Sequence, residues 1–345
     1  MNGHLIPVTI LTGFLGSGKT TILSRLVREP GFVDTAIIVN EFGEVGIDHT
    51  LLEASEETII DLSCGCICCT IRGDLMSTLT DLYDRRAAGT LRPFQRVVIE
   101  TTGLADPAPI IHTIMQEPTI FRSFRLARIV TVLDVANGMS TLHDYPEAVK
   151  QVAVADGLLL TKIDLVENSG VLEKFTGELQ KINPTAPRMT CQHGSVSPSF
   201  LFSGGVYDPD EKGTEALEWL SGSHPLSHGS RLETHRHNAD ISTFVIRRKS
   251  PVSRGALSGF MQMLAEQKGE ELLRLKGLVK LKDDPTKPAL VHGVQHVVHP
   301  VTRLDHWPQT SDTTKLVFIV RNIEKYWIED LWDKISESAY AEVSL

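Results

Sequence analysis

Gly13-Phe14-Leu15-Gly16-Ser17-Gly18-Lys19-Thr20 is the stretch on which the reading of this chain turns. It satisfies GxxxxGK[ST] in full. It follows an apolar, β-branched run (Val8–Leu11) and precedes a segment of helical spacing (Thr20–Arg28), where Ile22, Leu23, Leu26 and Val27 share one face and Pro30 ends the run. Such a loop binds phosphate for physical reasons. Its glycines let successive backbone N–H groups turn to a common centre, and the N-terminus of the following helix adds a favourable dipole. Lys19 then reaches the β and γ phosphates, and Thr20 is placed to ligate Mg²⁺. Gly13, Gly16, Ser17, Gly18, Lys19, Thr20 and Thr21 are the expected nucleotide-binding residues of this segment.

Two later segments extend the site. Arg96-Val97-Val98-Ile99-Glu100-Thr101-Thr102-Gly103 is an apolar strand ending in an acid, the place of a Walker B carboxylate, so Glu100 is expected at Mg²⁺ and Gly103 at the γ-phosphate through its backbone N–H. Leu158-Leu159-Leu160-Thr161-Lys162-Ile163-Asp164 ends in TKxD, one substitution from the NKxD that selects guanine. Asp164 would accept from guanine N1 and N2, which adenine cannot match, and Lys162 would lay its stem along the base. GTP is favoured over ATP. Lys19 and Glu100 are the expected catalytic groups, with Thr161, Lys162 and Asp164 at the base.

Length and composition bound the rest. At roughly 150 residues per domain, 345 residues favour two folded units. Hydrophobic residues at 41% and charged residues at 22% describe an ordinary folded protein. Lys plus Arg number 34 against 43 Asp plus Glu, and the net charge of −9 argues against broad nucleic-acid binding. No apolar run reaches the about 18 residues of a membrane span. The apolar start Leu5–Leu15 lacks a basic leader and runs into the glycine loop, so export is not expected.

Four of the five cysteines, Cys64, Cys66, Cys68 and Cys69, lie within one short segment. So tight a cluster is no disulfide framework; it reads as metal-binding or redox-active in a reducing compartment, and a cytoplasmic protein is expected. Thiolates select Zn²⁺ and Cu⁺, with Co²⁺ and Ni²⁺ also within their range, and exclude Ca²⁺ and Mg²⁺. Inert cysteines or a dithiol switch at Cys68 and Cys69 are the competing readings.

The organisation is α/β followed by α+β. Residues 1–202 alternate β-branched runs (Val8–Leu11, Ala36–Val39, Val97–Glu100, Ile129–Leu133, Leu158–Thr161, Arg188–Cys191) with amphipathic segments, the pattern of a P-loop domain with a mainly parallel sheet. Residues 203–238 turn to Gly, Ser, Asp and His and read as a linker or exposed loop. Residues 239–345 form a small α+β domain. Its expected strands are Ser242–Ile246, Leu272–Leu281, Leu290–Val298 and Leu316–Val320, and its expected helices are Arg254–Glu266 and a terminal one carrying Ile323, Trp327, Leu331 and Ile335. His292 and His296, on one face of an expected strand, read as surface residues. Cys191 reads as a core or base-pocket residue. Asp134 reads as the cap of the turn after its strand.

GFLGSGKT, VNEFGEVGID, CICC, ETTGLADPAPII and TKID, in this order, resemble the CobW family of GTPases over nearly the whole chain. The resemblance implies a SIMIBI-class P-loop GTPase with a CobW-type C-terminal domain. It also implies Zn²⁺ binding at Cys66, Cys68 and Cys69 and delivery of metal to a client protein. Glu41 and Glu44 fall in its switch-like segment, with Glu44 the better candidate for metal or Mg²⁺; Cys64 is the candidate fourth ligand. Histidine-rich tracts of the family shrink here to His224, His228, His235 and His237. The expectation is a GTP-hydrolysing metallochaperone of slow intrinsic turnover, without nucleic-acid or membrane partners and with homo-oligomerisation open. A P-loop small-molecule kinase and a redox-responsive GTP-binding adaptor are the alternatives.

Overall fold

The computed structural model describes residues 5–39, 59–61, 71–166, 169–192, 194–202, 241–307 and 312–341. The cysteine cluster 64–69, Glu41, Glu44, the stretch 203–238 and its four histidines lie outside the described residues. The chain divides into two compact units, Met1–Leu179 with Ala186–Asp208, and Gln180–Thr185 with Pro209–Leu345.

The first unit is built on seven parallel strands: β1 (Ile6–Thr12), β2 (Thr35–Val39), β3 (Ile59–Asp61), β4 (Arg96–Glu100), β5 (Phe124–Asp134), β6 (Gly157–Thr161) and β7 (Arg188–Thr190). Their order across the sheet is β3-β2-β4-β1-β5-β6-β7. Strands covered on both faces read as unbroken apolar runs, which is why β2 and β6 are buried along their whole length. The helices are α1 (Lys19–Leu26), α2 (Ile71–Ala87), α3 (Ala108–Gln116), α4 (Gly138–Asp144), α5 (Pro146–Val154), α6 (Ser169–Ile182), which from Gln180 onward is grouped with the second unit, and α7 (Pro198–Phe202). Amphipathic spacing seats them: α1 buries Ile22, Leu23 and Leu26 against Leu11, Val98 and Val130 of the sheet. Each such side chain contributes about 1.5–3 kcal/mol by leaving water. Pro30 does end the first helical run, opening a short 3-10 turn, Pro30–Phe32.

The second unit holds β8 (Ile241–Arg248), α8 (Arg254–Lys268), β9 (Leu272–Val279), β10 (Ala289–Val294), β11 (Val297–Val298), β12 (Thr302–Arg303), β13 (Thr314–Arg321) and α9 (Lys325–Ala341). The strands pair antiparallel in the order β11-β10-β9-β13-β8, with β12 on β10. Ser253 caps α8 by accepting from Ala256 N–H at 3.1 Å. Phe260 of α8 meets Trp332 of α9 edge to face, with ring centroids 4.9 Å apart, in a core that includes Leu264, Leu275, Phe318 and Ile328.

Two expectations need correction here. The run Leu290–Val298 is not one strand but the hairpin β10–β11, because Gln295 adopts a left-handed conformation (φ 52°) and turns the chain. His296 therefore sits in the turn, exposed, while His292 is only 4% exposed in β10 rather than on the surface. The three-residue β3, which pairs with β2, was not expected from the sequence.

Candidate nucleotide site

All three motif segments leave the carboxyl ends of strands of one parallel sheet, β4 and β1 side by side and β6 beyond β5, the edge at which open parallel sheets bind ligands. The loop after β1 is shaped by glycines in conformations other residues avoid. Gly13 (φ 142°) passes so close to β5 that a Cβ there would lie 2.3 Å from the Val132 carbonyl oxygen, and Gly18 (φ 98°) is the N-cap of α1. Gly16 and Thr21 are exposed and Ser17 is buried. Lys19 opens the helix with its side chain largely buried, and its Nζ donates to the Gly13 and Phe14 carbonyls at 2.8 and 3.2 Å. The ammonium is thus held over the loop that its own helix follows.

The end of β4 is fastened to this loop. Thr20 Oγ1 donates to Glu100 Oε1 at 2.7 Å, with Glu100 1% exposed. Thr101 donates through Oγ1 to Thr12 Oγ1 at 2.8 Å and through its amide to the Leu11 carbonyl at 3.0 Å. Gly103, buried, leaves no room for a side chain: a Cβ would stand 2.5 Å from Leu15 N. A hydroxyl and a carboxylate oxygen converging at the head of a phosphate loop form a hard, oxygen-only donor set, which suits Mg²⁺ and not a soft ion.

Strand β6 supplies the third piece. Thr161 Oγ1 donates to the Ser17 carbonyl at 2.7 Å and to the Leu133 carbonyl at 3.1 Å, tying TKID to the glycine loop. Lys162, left-handed at φ 55°, is drawn to Asp134, its Nζ 2.8 Å from Oδ2. Asp134 also caps the next turn as expected, accepting the Ala136 and Asn137 amides on Oδ1. Burial pushes its carboxyl up, but the bonds from Lys162 and Asn137 outweigh that and hold it below the ordinary carboxylate range. Asp164 stands exposed in the 3-10 turn Ile163–Leu165. Beside the loop, Phe14, Leu15, Ser17, Asp134, Asn137 and Lys162 line part of a cavity of about 260 Å³.

Cys191 is fully buried among Leu11, Ile22 and Leu159, and burial pushes its thiol up, so it is a core residue rather than a reactive one. Among the described residues no cluster of His, Cys, Asp and Glu could hold a metal ion, and no helix is long and apolar enough to cross a membrane. The sequence reading missed Gln151 of α5, whose Nε2 donates to the Gly103 and Ala105 carbonyls at 3.2 and 3.0 Å. No motif marks a glutamine that lies so far along the chain from the loop it holds.

The chain is 34% identical over 292 residues to the zinc chaperone YjiA of Escherichia coli K12, covering 85% of this chain and 87% of that protein. It is 31% identical over 318 residues to the zinc chaperone CobW of Sinorhizobium (83% and 84% covered). It is 30% identical over 310 residues to zinc-regulated GTPase metalloprotein activator 1 of Schizosaccharomyces pombe (81% and 73%). The crystal structure of Zn(II)-bound YjiA GTPase from Escherichia coli superposes with a TM-score of 0.70 at 27% identity, covering 96% of this chain and 99% of that one. The CobW/HypB/UreG nucleotide-binding domain matches residues 7–190 and the cobalamin synthesis protein cobW C-terminal domain matches residues 241–336; this chain belongs to the CobW/HypB/UreG family.

Proposed function

We propose that this protein is a GTP-hydrolysing zinc metallochaperone, in which residues 1–202 bind and hydrolyse GTP and carry the metal cargo, 203–238 link, and 239–345 form the C-terminal domain. The observation that carries the nucleotide half is the Thr20–Glu100 contact, at the head of a loop whose lysine is already gathered over it. Backbone N–H groups of Gly16, Ser17, Gly18 and Lys19 would turn to the phosphates, the Ser17 amide giving up its 3.2 Å bond to the Phe14 carbonyl, and Lys19 Nζ would exchange its carbonyl partners for phosphate oxygens. Thr20 and Glu100 would hold Mg²⁺, Glu100 keeping its place in β4 beside Leu11 of β1. Bound there, Mg²⁺ supplies neutralisation of charge on the phosphoryl oxygens. Gly103 brings its backbone to the γ-phosphate, and Asp164, with Thr161 and Lys162, selects guanine. Catalysis is positioning and charge stabilisation, and with no arginine finger among these segments intrinsic turnover is slow.

The cargo half rests on Cys66, Cys68 and Cys69, with Cys64 or Glu44 completing the shell. Zinc is the cargo that the relatives' names carry, and Co²⁺ is the competitor the same thiolates admit. A thiolate site of this kind requires a reducing compartment, so the cytoplasm is its proposed location, and a metal-requiring client its partner. Since the cysteines and the NEFGE segment lie between β2 and β4 in sequence, nucleotide state and metal affinity are coupled.

The test is a Zn²⁺ titration against a chelating indicator in the presence of GDP and then of a non-hydrolysable GTP analogue. The two nucleotides should give different affinities. Replacing Cys66, Cys68 and Cys69 together by Ser should abolish tight binding while leaving GDP affinity intact. Equal affinities in both nucleotide states overturn the coupling; undiminished zinc binding by the triple variant overturns the cargo assignment.

A further inference from the structure

Gln151 is 1% exposed in the middle of α5, and burying its amide costs free energy unless the group is hydrogen-bonded. Its nitrogen faces two carbonyls, those of Gly103 and Ala105, which fixes the orientation of the amide. Its Oε1 is buried with no hydrogen-bond partner among the described residues. An apolar side chain of equal volume would pack there without that penalty, but would leave the two loop carbonyls without this donor. The helix position is itself anchored, because Thr131 of β5 donates to the Gln151 backbone carbonyl at 2.7 Å. The preceding residue continues the tie: Lys150 Nζ lies 3.2 Å from Asp106 Oδ2, and Asp106 accepts the Ala108 amide at the head of α3.

The loop is therefore gripped on two sides. Gly103 presses on Leu15 of the phosphate loop in front, and Gln151 holds it from behind. The peptide bonds here are trans, so each N–H lies opposite its C=O. Fixing the Gly103 and Ala105 carbonyls on α5 sets the planes of the peptides that follow those residues and so holds Gly103, whose own backbone is assigned to the γ-phosphate. We propose that Gln151 is a positioning residue for the γ-phosphate end of the nucleotide site, holding the Thr102–Ala105 loop against the phosphate loop from the side of α5. This rests on the nucleotide reading given above.

The test uses the full-length protein and Gln151→Met, which keeps the length of the side chain and removes the donors. GTP hydrolysis under single turnover and affinities for GDP and a non-hydrolysable GTP analogue are measured on both. Hydrolysis and analogue affinity should each fall about tenfold, the cost of one well-placed donor, while GDP affinity stays within about twofold. An unchanged rate with an unchanged analogue-to-GDP ratio overturns the proposal, as does an equal loss for both nucleotides, which would mark a purely structural role. Gln151→Glu gives a second reading should the Met variant fail to fold. Its carboxyl donates only when protonated, so its rate must decline with rising pH relative to the wild-type profile, and a parallel profile overturns the proposal. Failure of the wild-type protein itself to bind GTP would overturn the underlying nucleotide reading instead.

Discussion

Thr20 and Glu100, 80 positions apart in sequence, share a 2.7 Å hydrogen bond in which the hydroxyl donates to a carboxylate that is almost wholly buried. The two residues thus occupy the geometry of a hard-cation site through their own contact. We expect Thr20→Ala and Glu100→Gln each to lower GTP hydrolysis by about 100-fold, the scale of losing one electrostatic group of a phosphoryl-transfer site. GDP should still bind. Steady-state hydrolysis as a function of Mg²⁺ concentration checks this, and a rate within twofold of wild type for either variant would contradict it.

Gly103 and Gly13 are set by close approach. A Cβ at Gly103 meets Leu15 N at 2.5 Å and Leu15 Cα at 2.7 Å, all backbone that cannot swing away. Gly103→Ala should cost about 2 kcal/mol of stability by overpacking. Gly13→Ala should cost about 3 kcal/mol, because its Cβ strikes the Val132 carbonyl and its φ of 142° is strained for any other residue. Urea unfolding of both variants, alongside the exposed Gly177→Ala as control, gives the comparison.

The glycine loop, the Glu100 strand and TKID could be read from the sequence because their chemistry is local: a few residues of fixed type at fixed spacing, each after an apolar run. Asp134 was read correctly as a cap for the same reason, but its grip on Lys162 needs β5 and β6 side by side. Gln151 was invisible because its function depends on which loop α5 happens to cover. His292 was misread because alternation tells which residues share a face and not whether that face is covered, and because the left-handed Gln295 ends the strand before His296.

His292 makes stability depend on pH. Burial, and then the positive charges of Lys276, His299 and Arg274, hold its pKa well below 6.5 in the folded protein. Lys276 sits directly across the β9–β10 register from it. The unfolded chain then binds more protons than the native one once pH drops below about 6.5, so stability is full above that value and declines beneath it until the folded pKa is reached. His292→Gln should flatten this slope. Urea midpoints from tryptophan fluorescence, taken at intervals from about pH 7.5 to about 5, measure it; identical slopes for wild type and variant would exclude His292 as the source.

Asp164 carries the guanine preference in the proposed site. Asparagine there keeps one acceptor and replaces the other by a donor, which suits the 2-oxo group of xanthine instead of the 2-amino group of guanine. We expect Asp164→Asn to weaken GTP binding about 100-fold, the loss of charged hydrogen bonds, and to improve XTP binding. Competition between the two nucleotides for a fluorescent GDP analogue reads the ratio directly.

The strand order has a consequence for how the chain is made. β1 finds its sheet partners in β4 and β5, pairing Val8 with Val97 and Leu126, and never touches β2 as a neighbour. During synthesis at about 5–20 residues per second, the first strand and the glycine loop behind it leave the ribosome seconds before any partner exists. Nucleotide cannot help the nascent chain at that stage, since Glu100 arrives only with β4. The birth of the site is therefore a late event in translation, and the apolar strand β1 must be kept from aggregating until β4 and β5 have emerged.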